Sequence, residues 1–231
     1  VRSLQSSAKS RRKENAFIVE GVRLFEEATK LKWSIRFVLY DNTLSERGQE
    51  LLDTLANVDI EEVDSAMLKS VSDTVTSQGI LAVLDYAQLP IPDSPTFILI
   101  PDQIRDPGNL GTLIRTAAAA GVDAVILPPE TTDAFAPKVL RAGMGAHFRL
   151  PIVAMDWDEI KARVQGLTVY LAEIEGDVIY SEANLTQGCA IIVGGEAEGA
   201  SAFARQLADS DIYIPMKDAT ESLNAAVAGA I

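Results

Sequence analysis

Apolar positions along the chain follow two periods, and the change from one to the other predicts a succession of helices and strands. Some stretches repeat an apolar residue every three or four positions, as amphipathic helices do, whereas others are short apolar runs between turn residues, as buried strands are. In the first part of the chain, helices are predicted at 21–30, 45–56 and 65–69, and strands at 35–40, 59–63 and 79–86. These elements indicate a small α/β domain.

A proline-rich segment separates the two halves of the pattern. LPIPDSP, residues 89–95, contains three prolines, and proline at this density holds the backbone extended and supplies few donors for a helix or a strand ladder. We therefore expect a domain boundary here, with a smaller domain over residues 1–92 and a second domain over residues 93–231.

After this linker, short apolar strands alternate with helices. Such strands are buried on both faces, which is typical of a mostly parallel sheet flanked by helices. Asn109 is expected to cap the first of these helices, and Asp156 with Glu159 has the spacing of a capping box. Strands are predicted at 96–100, 124–127, 167–172, 189–194 and 211–215, and helices at 109–120, from Pro137, at 156–164, at 200–208 and from Glu221.

Composition places the chain among ordinary globular proteins, and its charge limits the partners it can bind. Of the 231 residues, 48% are hydrophobic and 23% are charged, a balance outside the disordered and collagen-like classes. A formal net charge of −13 argues against a protein that coats nucleic acid through its overall charge. Residues 1–23, however, carry six basic and two acidic side chains, so this arm is either a phosphate-contacting surface or a solvated tail.

Two residue types narrow the chemistry and the compartment. Cys189 is the only cysteine, which excludes an intramolecular disulfide and a cysteine-rich zinc site and favours a reducing compartment. Neither a signal segment nor an apolar window of membrane-spanning length is found, so we expect a cytoplasmic protein, with both ends of the chain cut. His147 has no serine, cysteine or second metal ligand at a recognisable spacing, so a structural role is expected.

The first of three candidate loops carries a lone cation. It covers residues 101–121 and follows a predicted strand, at the edge where open α/β sheets bind ligands. Arg115 is the only cation on the small and apolar helix that leaves this loop, four residues after Gly111. It serves either a binding site or an ion pair with Asp102 or Asp106.

The second and third loops combine small residues with polar ones. Glu196 and Glu198 stand in the glycine-rich turn IIVGGEAEGAS and repel phosphate, so an amine, a ribose or a sulfonium fits this turn better; the alternative is a plain tight turn. Ser222 and Asn224 open the last predicted helix and are either N-caps or site residues. The small residues that follow favour close packing against another helix or another subunit.

The three loops, in this order, resemble the motifs of the SpoU (TrmH-like) family of RNA 2′-O-ribose methyltransferases, within the SPOUT superfamily. DPGNLGTLIRTA is similar to the first motif of that family, VGGEAEG to the second and IPMKDATESLN to the third. The similarity covers about residues 96–231. KSRRKENAFIVEG, residues 9–21, resembles the opening of the L30e-like substrate-binding domain of members that act on rRNA.

The resemblance implies a fold, a cofactor and a set of site residues. The second domain would contain a trefoil knot, bind S-adenosylmethionine in a bent shape and form a homodimer, and the substrate would be RNA, with rRNA favoured over tRNA. Arg115 would orient the target nucleotide and stabilise the forming alkoxide, and Glu196 would orient Asn109 or Arg115. The implied catalytic residues are Arg115, Asn109, Glu196, Ser222 and Asn224; the cofactor contacts are Leu127, Gly194, Gly195, Ile214, Met216 and Leu223; the RNA contacts are Lys9, Arg11, Arg12 and Lys13; no metal is implied.

Two other functions compete with this interpretation. A catalytically decayed relative would bind RNA without cofactor, since Gly195 and Ala197 depart from the usual second motif. A Rossmann-type enzyme would use DPGNLGT for a nucleotide phosphate, but the chain lacks the GxGxxG fingerprint.

Overall fold

The computed structural model describes residues 1–74, 76–196, 198–217 and 222–231. The chain divides into two compact units, the first made of residues 1–87 and 133–149 and the second of residues 88–132 and 150–231. The structure thus groups residues 133–149 with the first unit, whereas the boundary expected from the prolines placed them in the second.

Helices and strands alternate along most of the described chain. The helices are α1 (Arg2–Ser6), α2 (Ala8–Glu14), α3 (Val22–Lys30), α4 (Glu46–Asp53), α5 (Ser65–Val71), α6 (Pro107–Ala120), α7 (Pro137–Gly143), α8 (Trp157–Arg163), α9 (Ala202–Leu207) and α10 (Ala225–Ala228). The strands are β1 (Ala16–Glu20), β2 (Ile35–Tyr40), β3 (Asp59–Glu62), β4 (Ile80–Asp85), β5 (Phe97–Asp102), β6 (Ala124–Leu127), β7 (Ile152–Ala154), β8 (Thr168–Glu173), β9 (Val178–Ile179), β10 (Cys189–Gly194) and β11 (Ser210–Tyr213). No helix of the described residues is long and apolar enough to cross a bilayer.

The first unit is built on a four-stranded mixed sheet in the order β1-β4-β2-β3. β4 pairs antiparallel with both β1 and β2, and β2 pairs parallel with β3. All five residues of β1 are buried, so the strand lacks the alternation of apolar and polar positions that reveals strands in a sequence. An aromatic cluster packs in this unit, with ring centroids 5.0 Å apart for Phe17 and Phe135 and 5.3 Å apart for Trp33 and Phe148.

The basic N-terminal arm is folded, so its interpretation as a solvated tail was wrong. Ser7 caps α2 by accepting a hydrogen bond from the Ser10 amide at 3.2 Å, and Leu4 is buried in the core of the first unit. The Arg11 guanidinium is also buried, 2.6 Å from the Asp133 carboxylate, and donates to the Leu4 carbonyl at 2.5 Å. This geometry argues against the RNA contact predicted for Arg11, because its donors are already used inside the fold. The exposed cations of α2 are Lys9, Arg12 and Lys13.

The second unit contains a seven-stranded sheet in the order β7-β6-β5-β10-β8-β11-β9. Each pairing of neighbours in this sheet is parallel, in agreement with the prediction from short apolar strands. Successive residues of β10 point to opposite faces. Ile192 packs in a core cluster with Ile160 of α8 and Ala204 of α9, whereas Val193 faces Gly229, just after α10. Helices therefore cover both faces of the sheet.

The ends of several helices test the predicted caps. α6 begins at Pro107, and Asp106 rather than Asn109 caps it by accepting a hydrogen bond from the Asn109 amide at 2.9 Å. The cap predicted at Asn109 was therefore wrong by three positions. The capping box of α8 is confirmed, with Asp156 and Glu159 each bonded to the other's backbone amide at 2.9 Å. Glu221, the predicted start of the last helix, lies outside the described residues.

Candidate active site

A cavity of about 470 Å³ opens in the second unit at the carboxyl ends of β8, β10 and β11. These strands are parallel neighbours, so their carboxyl ends and the loops that follow them lie at one edge of the sheet. Open α/β sheets bind ligands at this edge. The volume lies within the range of about 300–1,000 Å³ that small-molecule sites occupy.

Most of the lining is apolar or glycine, and it includes five of the six predicted cofactor residues. These are Gly194, Gly195, Ile214, Met216 and Leu223. The sixth, Leu127, is buried at the end of β6, and β5 and β10 stand between β6 and β8 in the sheet. Leu127 is not among the described residues that line the cavity, so the structure does not place it with the others.

Sequence reasoning missed the contribution of β8. Ala172, Glu173 and Ile174, at the carboxyl end of this strand and just beyond it, line the cavity. The available signal was positional, because YLAEI ends a predicted strand in the same way as the strands that lead into the second and third motifs. No recognisable motif marks it.

The glycine turn after β10 is closed on itself. The amides of Gly195 and Gly199 donate to each other's carbonyls at 3.2 and 3.1 Å. A Cβ at position 195 would collide with the carbonyl oxygen of Gln103 at the end of β5. The departure from the usual motif at Gly195 is therefore required by the close approach of two backbone segments. Ala197, the other departure in this motif, lies outside the described residues.

One residue from each of the three motifs meets in a hydrogen-bonded cluster. The Asn109 Nδ2 donates to the Glu196 carboxylate, and the Asn224 Nδ2 donates to Asn109 Oδ1 at 3.0 Å. Asn224 Oδ1 also accepts from the Ala226 amide at 3.0 Å, so Asn224 caps α10 and belongs to the cluster at once. Glu196 and Ser222 line the cavity. This cluster is called the Asn–Glu–Asn network below.

Arg115 lies on α6, the helix that also carries Asn109, and is exposed. Its guanidinium makes no hydrogen bond or ion pair within the part of the chain that the structure describes, so the predicted ion pair with Asp102 or Asp106 is not formed. The structure therefore leaves the Arg115 donors open to solvent without bringing them into the Asn–Glu–Asn network.

Asp102 is instead a buried anchor. Its Oδ2 accepts from the Ser201 amide at 2.6 Å, which ties the end of β5 to the start of α9. Burial raises the pKa of this carboxyl group above its ordinary value, with the Ser201 hydrogen bonds opposing the shift. Asp102 therefore helps to fix the backbone at the end of β5, which the glycine turn approaches closely at Gln103.

His147 lies in the first unit and is 1% exposed. One ring nitrogen, Nε2, is 2.9 Å from the Ala134 carbonyl, while Nδ1 is buried without a partner among the described residues. Burial lowers the pKa of His147 to about 4. The ring is therefore neutral at pH 7, which agrees with the structural role expected for it.

Two family models match the chain. The SpoU rRNA Methylase family matches residues 96–231, which include the cavity and the Asn–Glu–Asn network. An MRM3-like substrate binding domain matches residues 1–82, which contain β1, β2, β3 and the first half of β4.

Several known proteins are similar over nearly the whole chain. The 23S rRNA (guanosine(2553)-2′-O)-methyltransferase RlmP of Bacillus subtilis is 36% identical over 227 residues, covering 96% of this chain and 89% of that protein. The mitochondrial rRNA methyltransferase 3A of Danio rerio is 33% identical, covering 100% of this chain and 66% of that protein. The crystal structure of the SpoU methyltransferase AviRb from Streptomyces viridochromogenes, in complex with the cofactor AdoMet, has a TM-score of 0.90 at 28% identity and covers 99% of this chain and 92% of AviRb.

Proposed function

Because the chain belongs to the SpoU rRNA methylase family, we propose that it transfers a methyl group from S-adenosylmethionine to a ribose 2′-hydroxyl of ribosomal RNA. One observation carries the proposal: Asn109, Glu196 and Asn224, from three separate motifs, form one hydrogen-bonded network beside a ligand-sized cavity. The intact network favours an active enzyme over a decayed binding module.

The cavity suits this cofactor. Ile214, Met216 and Leu223 offer an apolar surface for an adenine ring, and Gly194 and Gly195 allow a ligand to approach the backbone. Carboxylates at the rim, including that of Glu196, favour a cationic sulfonium over a phosphate. When bound, S-adenosylmethionine supplies an electrophilic methyl group.

The Asn–Glu–Asn network fixes the orientation of one amide. Asn109 Oδ1 accepts from Asn224 and Asn109 Nδ2 donates to Glu196, so the two ends of the carboxamide are distinguished and the side chain cannot flip without losing both bonds. Such preorganisation lowers the cost of holding the ribose oxygen in line with the methyl group. We assign Asn109 and Glu196 to positioning at the reacting centre.

Arg115 is assigned to the acceptor RNA. Its exposed guanidinium has no partner among the described residues, and a fork of donors binds a phosphate or a forming alkoxide well. Arginine is a poor general base because a guanidinium holds its proton tightly. We therefore assign Arg115 to orientation of the nucleotide and to stabilisation of negative charge on the 2′-oxygen. As the oxygen–methyl bond forms, the sulfur–methyl bond breaks to leave S-adenosylhomocysteine, and the hydroxyl proton is released to solvent.

The first unit is assigned to substrate binding. It matches an MRM3-like substrate binding domain and exposes Lys9, Arg12 and Lys13 on α2. These cations offer phosphate contacts in a chain that is otherwise acidic. From the resemblance to the family we further propose a trefoil knot in the second unit and a homodimer formed through that unit. The single cysteine, Cys189, supports our proposal of a reducing, cytoplasmic location.

Methyl transfer to rRNA from cells that lack the gene tests the function. We expect the purified protein to bind S-adenosylhomocysteine in calorimetry and to methylate one ribose, located by mass spectrometry. Arg115→Ala should lower turnover by about 100-fold or more and leave S-adenosylhomocysteine binding within twofold, because removal of one charge-stabilising donor has an effect of this size.

Thr112→Ala is the matched control, since Thr112 is also exposed on α6 and bonds only the Gly108 carbonyl among the described residues. Full activity of Arg115→Ala, or a wild-type protein that binds no S-adenosylhomocysteine, would contradict the assignment.

A further inference from the structure

An ion pair lies at the edge of the cavity, and neither of its residues belongs to the three sequence motifs. Glu173 is the last residue of β8 and Arg205 lies on α9, and the Arg205 Nη1 is 2.5 Å from the Glu173 Oε1. Both residues line the cavity. The Glu173 side chain is 17% exposed and that of Arg205 is 51% exposed, so the pair stands where the cavity meets solvent.

Part of the hydrogen-bonding capacity of this ion pair is not used within the fold. Glu173 Oε1 is buried against the Arg205 guanidinium, but a carboxylate has two oxygens with about four acceptor positions. Arg205 carries five N–H donors, of which the contact to Glu173 engages one nitrogen. Since Arg205 is half-exposed, the ion pair contributes little to stability, and its charged groups can turn towards a ligand at small cost.

The charges around the cavity point to what this pair binds. Among the described lining residues the cation is Arg205, whereas Glu173, Glu196 and Glu198 are carboxylates. Glu196 is already bonded by Asn109, and Glu198 is 3.6 Å from the Arg105 guanidinium. A ligand carboxylate would be repelled elsewhere on this lining and attracted only at Arg205.

We propose that Glu173 and Arg205 recognise the zwitterionic amino-acid end of S-adenosylmethionine. The Arg205 guanidinium binds the α-carboxylate, and the Glu173 carboxylate binds the α-ammonium group. This inference rests on the proposed function, because it assigns one end of the same cofactor. The charges are complementary, because the adjacent carboxylate and guanidinium of the protein face the adjacent ammonium and carboxylate of the ligand.

Three ligands that differ only at this end separate the inference from a general role in shaping the cavity. S-adenosylhomocysteine has the amino-acid end, its decarboxylated analogue lacks the carboxylate alone, and 5′-methylthioadenosine lacks the whole end but keeps the adenosine and the thioether. Calorimetry on the full chain measures each affinity. Arg205→Gln should weaken S-adenosylhomocysteine about 10- to 100-fold, as expected for loss of charged hydrogen bonds, and leave the other two ligands within about twofold.

Glu173→Gln should weaken the two ligands that carry the ammonium group and leave 5′-methylthioadenosine unchanged. Lys161→Gln is the matched control, because Lys161 is exposed on α8 and does not line the cavity. Thermal unfolding of each variant verifies that it is folded.

Equal weakening of all three ligands by Arg205→Gln, or no weakening of any, overturns the inference. A wild-type protein that binds none of them overturns the proposed function instead, so the two failures are distinguishable.

Discussion

At the scale of single residues, burial and charge decide which polar side chains serve the fold and which remain available for a site. Arg11 stands in a basic run of the sequence and Arg115 is the lone cation of its helix. Arg11 is buried against Asp133, whereas Arg115 is exposed without a described partner. Sequence pattern alone does not separate them, because the partner of Arg11 lies 122 residues away. The residues around an arginine in the sequence do not identify a partner that lies so far along the chain.

His147 gives the chain a stability that depends on pH. Its folded pKa of about 4 lies below the unfolded value of about 6.5, so the unfolded state binds the extra proton between these values. The contribution of His147 to the free energy of unfolding is therefore fully present above about pH 6.5. It decreases as the pH drops towards 4, by at most about 1.4 kcal/mol per pH unit. Protonation at Nδ1 would place a proton where no described group accepts it.

Urea unfolding at pH 7, 6 and 5 measures this dependence. His147→Gln retains a donor for the Ala134 carbonyl but does not titrate, so its stability should be lower at pH 7 and should change less with pH. Carboxyl groups titrate in both proteins and cancel in the comparison. Identical slopes for the two proteins would show that His147 is not responsible.

At the scale of elements, the sequence predicted most strongly where local chemistry determines the result. The α8 capping box and the parallel strands β6 and β10 were predicted because their signals lie within a few consecutive residues. The fully buried β1 and the very short β7 and β9 were missed, since neither alternation nor length marks them. The same limit applies to the site: three motifs supplied most of the cavity lining, but Ala172 and Glu173 join it only because β8 is a neighbour of β10.

The capping box of α8 should contribute to stability without affecting the site. Asp156→Ala removes the acceptor for the Glu159 amide and is expected to lower the free energy of unfolding by about 1 kcal/mol. Asp156→Asn retains a good N-cap and serves as the control. Chemical denaturation measures both, and S-adenosylhomocysteine affinity should be the same in all three proteins. A loss as large in the asparagine variant would mean that charge rather than capping stabilises this helix end.

At the scale of the whole molecule, a small exposed basic surface stands out against an acidic chain. With a net charge of −13, RNA binding has to rely on local cations, and α2 exposes three of them after Arg11 is excluded. The distinction between the buried and exposed arginines of α2 therefore has a measurable consequence.

Replacing Arg12 and Lys13 by glutamine should weaken rRNA binding and reduce its salt dependence, with a slope lower by about two because two phosphate contacts are lost. Filter binding at several salt concentrations measures this effect. Lys30→Gln with Lys32→Gln removes the same charge from the end of α3 and should leave the slope nearly unchanged. Arg11→Gln should instead lower stability, since Asp133 would lose its buried partner. Equal slopes for the two double variants would contradict a specific role of α2.

Residues 133–149 complete the first unit although they lie inside the sequence of the second, and Phe135 packs on Phe17 across this interval. Neither unit is thus encoded by one continuous stretch of the gene. A single cut near residue 90 would leave the first fragment without residues 133–149, which would stay on the second fragment. Exchange of substrate-binding modules by recombination would require two further junctions, at both ends of this interval, in addition to the one near residue 90. A fragment ending near residue 90 would also leave Phe17 without its packing contact to Phe135.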